Sequence, residues 1–213
     1  MTTALALRET LGSDVINYQQ LVNALTDYKK PRDKISRMLE RGELIRLRKG
    51  LYVFEDQWRK NPIDHFHLAN LIYGPSYVSY ESALSHYGLI PERVLSITSA
   101  TTGKNKKFTT PLGLFTYQRQ QPFYYQEGMS LVERSCGNIL MATPEKALCD
   151  QLLRDGVDCI TTQPALKAYL NEDLRVDLKI LRNLKLGRLK KIARASEARL
   201  IDLLSEYIKK IKG

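Results

Sequence analysis

The stretch 28–54, YKKPRDKISRMLERGELIRLRKGLYVF, decides how the rest of the chain is read. Pro31 suits the first turn of a helix, where its missing N–H leaves no bond unmade. Ile35, Met38 and Leu39 follow at helical spacing and give one apolar stripe. Arg41-Gly42 ends the helix, because glycine readily takes the left-handed conformation that closes a last turn. Leu44, Leu47, Leu51 and Val53, with polar residues between, read as two short strands joined at Lys49-Gly50. Between Lys29 and Lys49 there are nine Lys or Arg against three acids. They fall on the helix start (Lys29, Lys30, Arg32, Lys34), its outer face (Arg37, Arg41) and the hairpin (Arg46, Arg48, Lys49).

A basic run alone describes a solvated face as well as a binding surface. The segment before it favours binding. Residues 15–25 (VINYQQLVNAL) read as a short helix with Tyr18, Leu21, Val22 and Leu25 inward. Helix, short turn, helix and basic hairpin in this order form a winged helix-turn-helix, whose second helix enters the major groove of double-stranded DNA.

At 213 residues the chain can bury a real core in one or two domains. Its 43% apolar and 26% charged content is ordinary for a globular protein, while a formal net charge of +10 favours a polyanionic or acidic partner. No apolar run approaches the roughly 20 residues of a membrane span. Arg8-Glu9 interrupts the only apolar stretch near the start, so no secretory pattern is read and a cytoplasmic location is expected. Cys136, Cys149 and Cys159 are too scattered for a disulfide framework or a zinc site, and read as reduced core residues.

Residues 2–11 read as a first helix capped by Thr2 or Thr3, with Leu5, Leu7 and Leu11 for packing. The polar segment 55–62 marks a boundary, with Trp58 expected to plug the seam between two units. Beyond it, 62–72 reads as a helix stopped by Gly74-Pro75, and Tyr77-Val78-Ser79-Tyr80 as the entry to another, capped by Ser79 or Ser82. Residues 94–102 are β-branched and read as a strand; Gly103 to Lys107 reads as a basic turn, and a hairpin follows around Pro111-Leu112-Gly113. Residues 121–128 read as an aromatic loop or strand edge, and 130–133 and 138–142 as strands joined at Cys136-Gly137. Thr143-Pro144-Glu145 opens an internal helix, Glu145 favouring the positive end of its dipole. From Thr161 the chain reads as all helical, with eleven Lys or Arg and three acids over 179–213. Arg188, Lys190, Lys191 and Arg194 lie off the apolar stripe there, either as a solvated face or as a surface for an acidic protein or DNA. The expected fold is therefore α+β: a winged helix-turn-helix over 1–57, then 62–213 as a mixed α/β domain (62–155) ending in a basic helical bundle (161–213).

Catalytic constellations are not legible. Glu145 and Asp150 are five apart and do not share a helix face, and His65 and His67 have no third ligand at metal spacing. No G-x-S-x-G or P-loop occurs. No catalytic residue, metal or cofactor is expected.

Three motifs, ISRMLERGELIRLRKGLYVF (35–54), YVSYESALSHYGLIPERV (77–94) and ATPEKALCD (142–150), together resemble the AbiEi-type antitoxins, the regulator half of type IV abortive-infection toxin–antitoxin systems. The resemblance covers most of residues 15–155 and implies two functions. One is repression of the chain's own operon through inverted repeats in its promoter. The other is neutralisation of a cognate nucleotidyltransferase-like toxin, in which a basic face of the C-terminal domain takes part. The alternative is a stand-alone winged-helix transcription factor whose second domain senses a ligand or a protein.

In the DNA-binding reading, Arg32, Lys34, Ser36 and Arg37 are the expected base readers; Arg46, Arg48 and Lys49 are expected on the backbone or adjacent minor groove. Neutralising about six phosphates gives a log–log salt slope near about −5. Lys190, Lys191 and Arg194 are the expected centre of the antitoxicity surface.

Overall fold

The computed structural model describes residues 3–134, 137–156 and 160–212. The chain is a mixed α+β protein with, among the described residues, eleven helices, a three-stranded antiparallel sheet near the N-terminus and a six-stranded mixed sheet. Cys136, Cys159 and Thr2 lie outside the described residues.

Helix α1 (Ala4–Leu11) is capped by Thr3, whose hydroxyl accepts from the Ala6 N–H. It buries Ala4 and Leu7, while Leu5, expected inside, is exposed. The segment 15–25 is not one helix. Val15–Asn17 forms strand β1, paired antiparallel to strand β3 (Leu51–Phe54), and helix α2 (Tyr18–Ala24) starts only after it. Asn17 marks the change. Its side chain accepts from the Gln20 N–H at 2.9 Å, and the Gln20 side chain accepts from the Asn17 N–H at 2.9 Å, a capping box that stops a helix from running backwards. Helix α3 (Pro31–Glu40) runs to Arg41, with Gly42 at φ 66° beyond it, and strand β2 (Leu44–Arg48) leads to β3.

The β2–β3 hairpin is buried on both sides. Leu44, Tyr52 and Phe54 pack with α1–α3, in a cluster that also holds Ile35 and Met38. Leu47, Leu51 and Val53 belong to the larger core of the rest of the chain. Trp58, expected at the seam, packs on the first cluster instead. The connector is tied back by Asp14, whose carboxylate accepts the N–H groups of Lys60 and Asn61 at 3.0 and 3.1 Å.

The second sheet has the order β6-β7-β5-β4-β9-β8. Helix α4 (His65–Ile72), capped by Asp64, precedes β4 (Ser76–Val78). Tyr77 and Val78 thus enter a central strand, not a helix; helix α5 (Tyr80–His86) begins after Ser79. Neither serine caps it by a side-chain bond: Ser79 donates to Asp150, and Ser82 bridges the Ser96 carbonyl and the Thr98 N–H. Strands β5 (Ser96–Thr101) and β7 (Gly113–Arg119) run parallel, with β6 (Lys106–Thr110) antiparallel at the edge. Lys106 and Lys107 therefore belong to an edge strand and not to the turn. Residues Pro122–Gln126 form a short helix, α6, where a loop or strand edge was expected; Tyr124 and Tyr125 face inward from it. Strands β8 (Met129–Val132) and β9 (Ile139–Ala142) lead to helix α7 (Pro144–Arg154), capped by Thr143.

Helix α7 is buried along most of its length, polar residues included. Asp150 accepts from the hydroxyls of Tyr124 (2.7 Å), Ser79 (2.5 Å) and Tyr77 (3.2 Å), and pairs with the Lys146 ammonium at 2.9 Å. Lys146 also donates to the Tyr124 carbonyl at 3.0 Å. Glu145 does more than meet a helix dipole, since its buried carboxylate accepts the Lys185 N–H at 2.7 Å. Cys149 is fully buried, and burial raises its thiol far above the usual range. The chain closes with α8 (Gln163–Ala168), which continues as a π turn over Tyr169–Asp173, then α9 (Leu178–Asn183), α10 (Leu186–Ser196) and α11 (Arg199–Lys212).

Candidate nucleic-acid interface

Helix α3 is held by Ile35 and Met38, which point into the first cluster. At 3.6 residues per turn the opposite face carries Asp33, Ser36 and Glu40, with Arg32 on one flank and Arg37 and Arg41 on the other. All six are exposed. The face is therefore cationic at its edges and mixed along its middle, an asymmetry that the charge count hides. Carboxylates are usable in a groove, since Asp and Glu accept from the cytosine amino group. Arg41 stands 3.9 Å from Glu43, and Lys29 and Lys30 are exposed just before the helix. Lys34 is the exception among the expected base readers: it is half buried, its ammonium 5.6 Å from the centre of the Tyr28 ring.

Tyr18 connects the helix to the hairpin. Its backbone N–H donates to the Gly50 carbonyl at 3.0 Å, and its hydroxyl accepts from Arg32 Nε at 2.8 Å. One residue thus spans the hairpin turn and the start of α3, and brings Lys49-Gly50 and Arg32 onto one side of the lobe. The capping box of Asn17 and Gln20 fixes that tyrosine at the first position of α2.

The hairpin cations divide. Directly paired residues of an antiparallel ladder project from the same face. Arg46 pairs with Tyr52, on the side of α1–α3, whereas Arg48 pairs with Leu51, on the side of the second sheet. A register shift between Arg46 and Arg48 separates them. The Arg48 guanidinium reaches the Lys49 carbonyl at 3.2 Å and the Leu71 carbonyl at 3.5 Å. It therefore lies near the last turn of α4, where unsatisfied carbonyls favour a cation. All three are exposed, but Arg46 and Lys49 share the α3 side and the turn.

On α10 the buried stripe is Leu189, Ile192 and Ala193. Lys190, Lys191 and Arg194 are exposed on the opposite side; Arg188 sits at the flank, 3.5 Å from the Glu145 carboxylate. Helix α10 packs on α6, α7 and α11, whereas α3 packs on α2 and β2.

Among the described residues, no group of three or more His, Cys, Asp or Glu is placed to hold a metal ion, and no helix is long and apolar enough to cross a membrane. Tyr117, Tyr124 and Tyr125 are buried and unavailable for stacking on bases. The polar cluster around Asp150 is the largest feature the sequence did not announce. Its one sequence signal is Lys146 and Asp150 spaced four apart on a helix. No protein-family model matches the chain. Comparison with curated proteins likewise finds no relative.

Proposed function

We propose that this chain is a DNA-binding transcriptional regulator of the winged helix-turn-helix class, with α3 as the recognition helix and the β2–β3 turn as a short wing. One observation carries the reading: Tyr18 joins Arg32 to the Lys49-Gly50 turn, so the helix start and the hairpin tip form one exposed basic edge. The order α1, β1, α2, α3, β2, β3 with a β1-β3-β2 sheet supports the same reading. Arg32, Ser36 and Arg37 read base edges, and Lys29, Lys30, Arg41, Arg46 and Lys49 hold phosphates. On the resemblance to AbiEi-type antitoxins, the duplex is an inverted repeat in the chain's own promoter. The second role on that resemblance is neutralisation of a nucleotidyltransferase-like toxin through Lys190, Lys191 and Arg194. A stand-alone regulator would share the first lobe and lack the second role.

The test is anisotropy with the promoter duplex and a scrambled duplex. Arg37→Ala is expected to lower the preference for the promoter by roughly tenfold, one base contact's worth. Arg46→Ala weakens both duplexes alike. If the triple variant Arg32→Ala, Ser36→Ala, Arg37→Ala keeps the full preference, α3 is not the reader. Charge reversal of Lys190, Lys191 and Arg194 should abolish growth rescue in a toxin co-expression assay and leave DNA affinity unchanged; undiminished rescue would put the interaction surface elsewhere on the chain.

A further inference from the structure

A cleft of about 740 Å³ opens beside the Asp150 cluster, between the end of β7, α6, α7 and the end of α10. Its size falls in the range of small-molecule sites. Its wall holds Tyr80 and Gln120, at 2% and 8% exposure, and Asp150. Tyr80 has φ 54°, a left-handed conformation that costs a bulky residue free energy and tends to mark functional positions.

Donor counting shows what this wall lacks. Asp150 is supplied by the Ser79 and Tyr124 hydroxyls and Lys146, and the single Tyr77 proton goes either to it at 3.2 Å or to Gln120. Gln120 accepts from the Tyr77 hydroxyl at 2.7 Å and donates to the Tyr80 oxygen at 3.1 Å. That leaves the Tyr80 proton and the second Gln120 N–H without an acceptor among the described residues. Turning the amide over gives the Tyr80 proton to Gln120 and the Gln120 N–H to Tyr77, whose proton goes to Asp150. One amide N–H is still left unspent. In either arrangement a buried donor on a residue lining the cleft is left without an acceptor, and an unmade buried bond is costly.

The rim adds charge and an aromatic face. Arg119 is exposed at the end of β7, its backbone N–H held at 2.6 Å by Asn105, and it makes no ion pair among those found in the described residues. Arg154, stacked 5.0 Å from the Tyr80 ring, is already occupied by Glu81 and Asp155. Glu197 is the one exposed acid lining the cleft. Phe123 stands 72% exposed on α6. A single exposed aromatic is ordinary on a surface; this one lines the same cleft as an unspent buried donor and a free guanidinium.

We infer that this cleft binds a purine mononucleotide, its base against Phe123 and the Gln120 amide, its phosphate at Arg119. The base offers a flat π face and several acceptors, and the phosphate suits a guanidinium fork. The inference does not rest on the DNA-binding reading, and its test contains no DNA.

Isothermal titration of the full chain with AMP and with GMP is the experiment, with adenosine and inorganic phosphate as separate arms. At least one nucleotide should bind 1:1 with a dissociation constant below about 1 mM. Phe123→Ala should weaken it roughly tenfold, the usual scale of base–aromatic stacking. Arg119→Ala should weaken the nucleotide but leave adenosine unchanged. Both residues are exposed, so both variants should keep the parent's melting temperature. No saturation by about 10 mM, equal binding of phosphate alone, or nucleotide affinity untouched by both variants would overturn the assignment.

Discussion

Lys146 and Asp150 lie one turn apart on α7, 2.9 Å from ammonium to carboxylate, and neither side chain has any solvent exposure. Burial lowers the Lys146 pKa, and the nearby Asp150 charge works against that shift. A buried pair of this kind contributes little over a well-packed apolar substitute, but removing one partner strands the other charge. Asp150→Asn, nearly isosteric, should therefore cost about 3–5 kcal/mol in urea unfolding. The double variant Lys146→Met, Asp150→Asn, which removes both charges and keeps an acceptor for the Tyr124 and Ser79 hydroxyls, should cost less than that single change. A single-variant loss under about 1 kcal/mol would show that the pair does not anchor α7.

Stability should also respond to pH through Glu81. Burial alone would raise its carboxyl, but hydrogen bonds and charge from Arg154 outweigh burial and hold it below its ordinary value. A depressed carboxyl stabilises the fold above its unfolded pKa and loses that contribution as pH falls through its folded pKa. Both side chains are partly exposed, so the effect is modest. Glu81→Gln should destabilise by about 1 kcal/mol near pH 7, and the difference should vanish on acidification below the usual glutamate range. Denaturation midpoints of both proteins across pH measure it. A gap that persists in acid assigns the effect to packing.

Gly128 adopts φ 78°, and a Cβ there would come within 2.8 Å of Lys146 Cβ and 3.1 Å of Ile192 Cδ1. Gly42, at φ 66°, has nothing within 4 Å. Alanine at Gly42 meets conformational strain alone, about 1–2 kcal/mol. Alanine at Gly128 adds a collision with a buried neighbour's own Cβ and should cost at least about 1 kcal/mol more than that. Equal thermal shifts for the two variants would mean that the α7–α10 contact yields freely.

Arg48 and Lys49 are adjacent in sequence but are expected to behave differently. Lys49→Ala should reduce the salt slope of DNA binding by about 1, as loss of one phosphate contact does. Arg48→Ala should leave that slope unchanged and lower the melting temperature, because its guanidinium lies against α4. A slope change with Arg48→Ala and none with Lys49→Ala would exchange the two assignments.

Arg48 also shows where sequence reading stops. Alternation puts Arg46 and Arg48 on one face, and only the register shift between them, which no period reveals, sends Arg48 to the other side. The α+β class, α3, the hairpin and α7 were legible because each carries period, cap and stop signals together: Pro31 and Gly42, Lys49-Gly50, Thr143-Pro144. Strands β1 and β4, three residues each, were absorbed into neighbouring helices because so short a run shows no alternation. The aromatic run of α6 favours strand on propensity, but the fold turns Tyr124 and Tyr125 inward as a helix. Among site residues, Lys34 counts as a cation on composition and is half buried because Tyr28 lies beside it. The donors around Asp150 come from segments far apart in sequence, so no local pattern could assemble them.

The hairpin belongs to two cores at once, and this bears on how the molecule comes apart. A fragment cut after Phe54 would carry Leu47, Leu51 and Val53 as a bare greasy strip and should clump in solution. Heating the intact chain should give one sigmoid rather than two, because melting either half strips a shared ribbon of its lining. Evolution cannot reshuffle this reading head onto another body as a free cassette without first repainting one side of two strands.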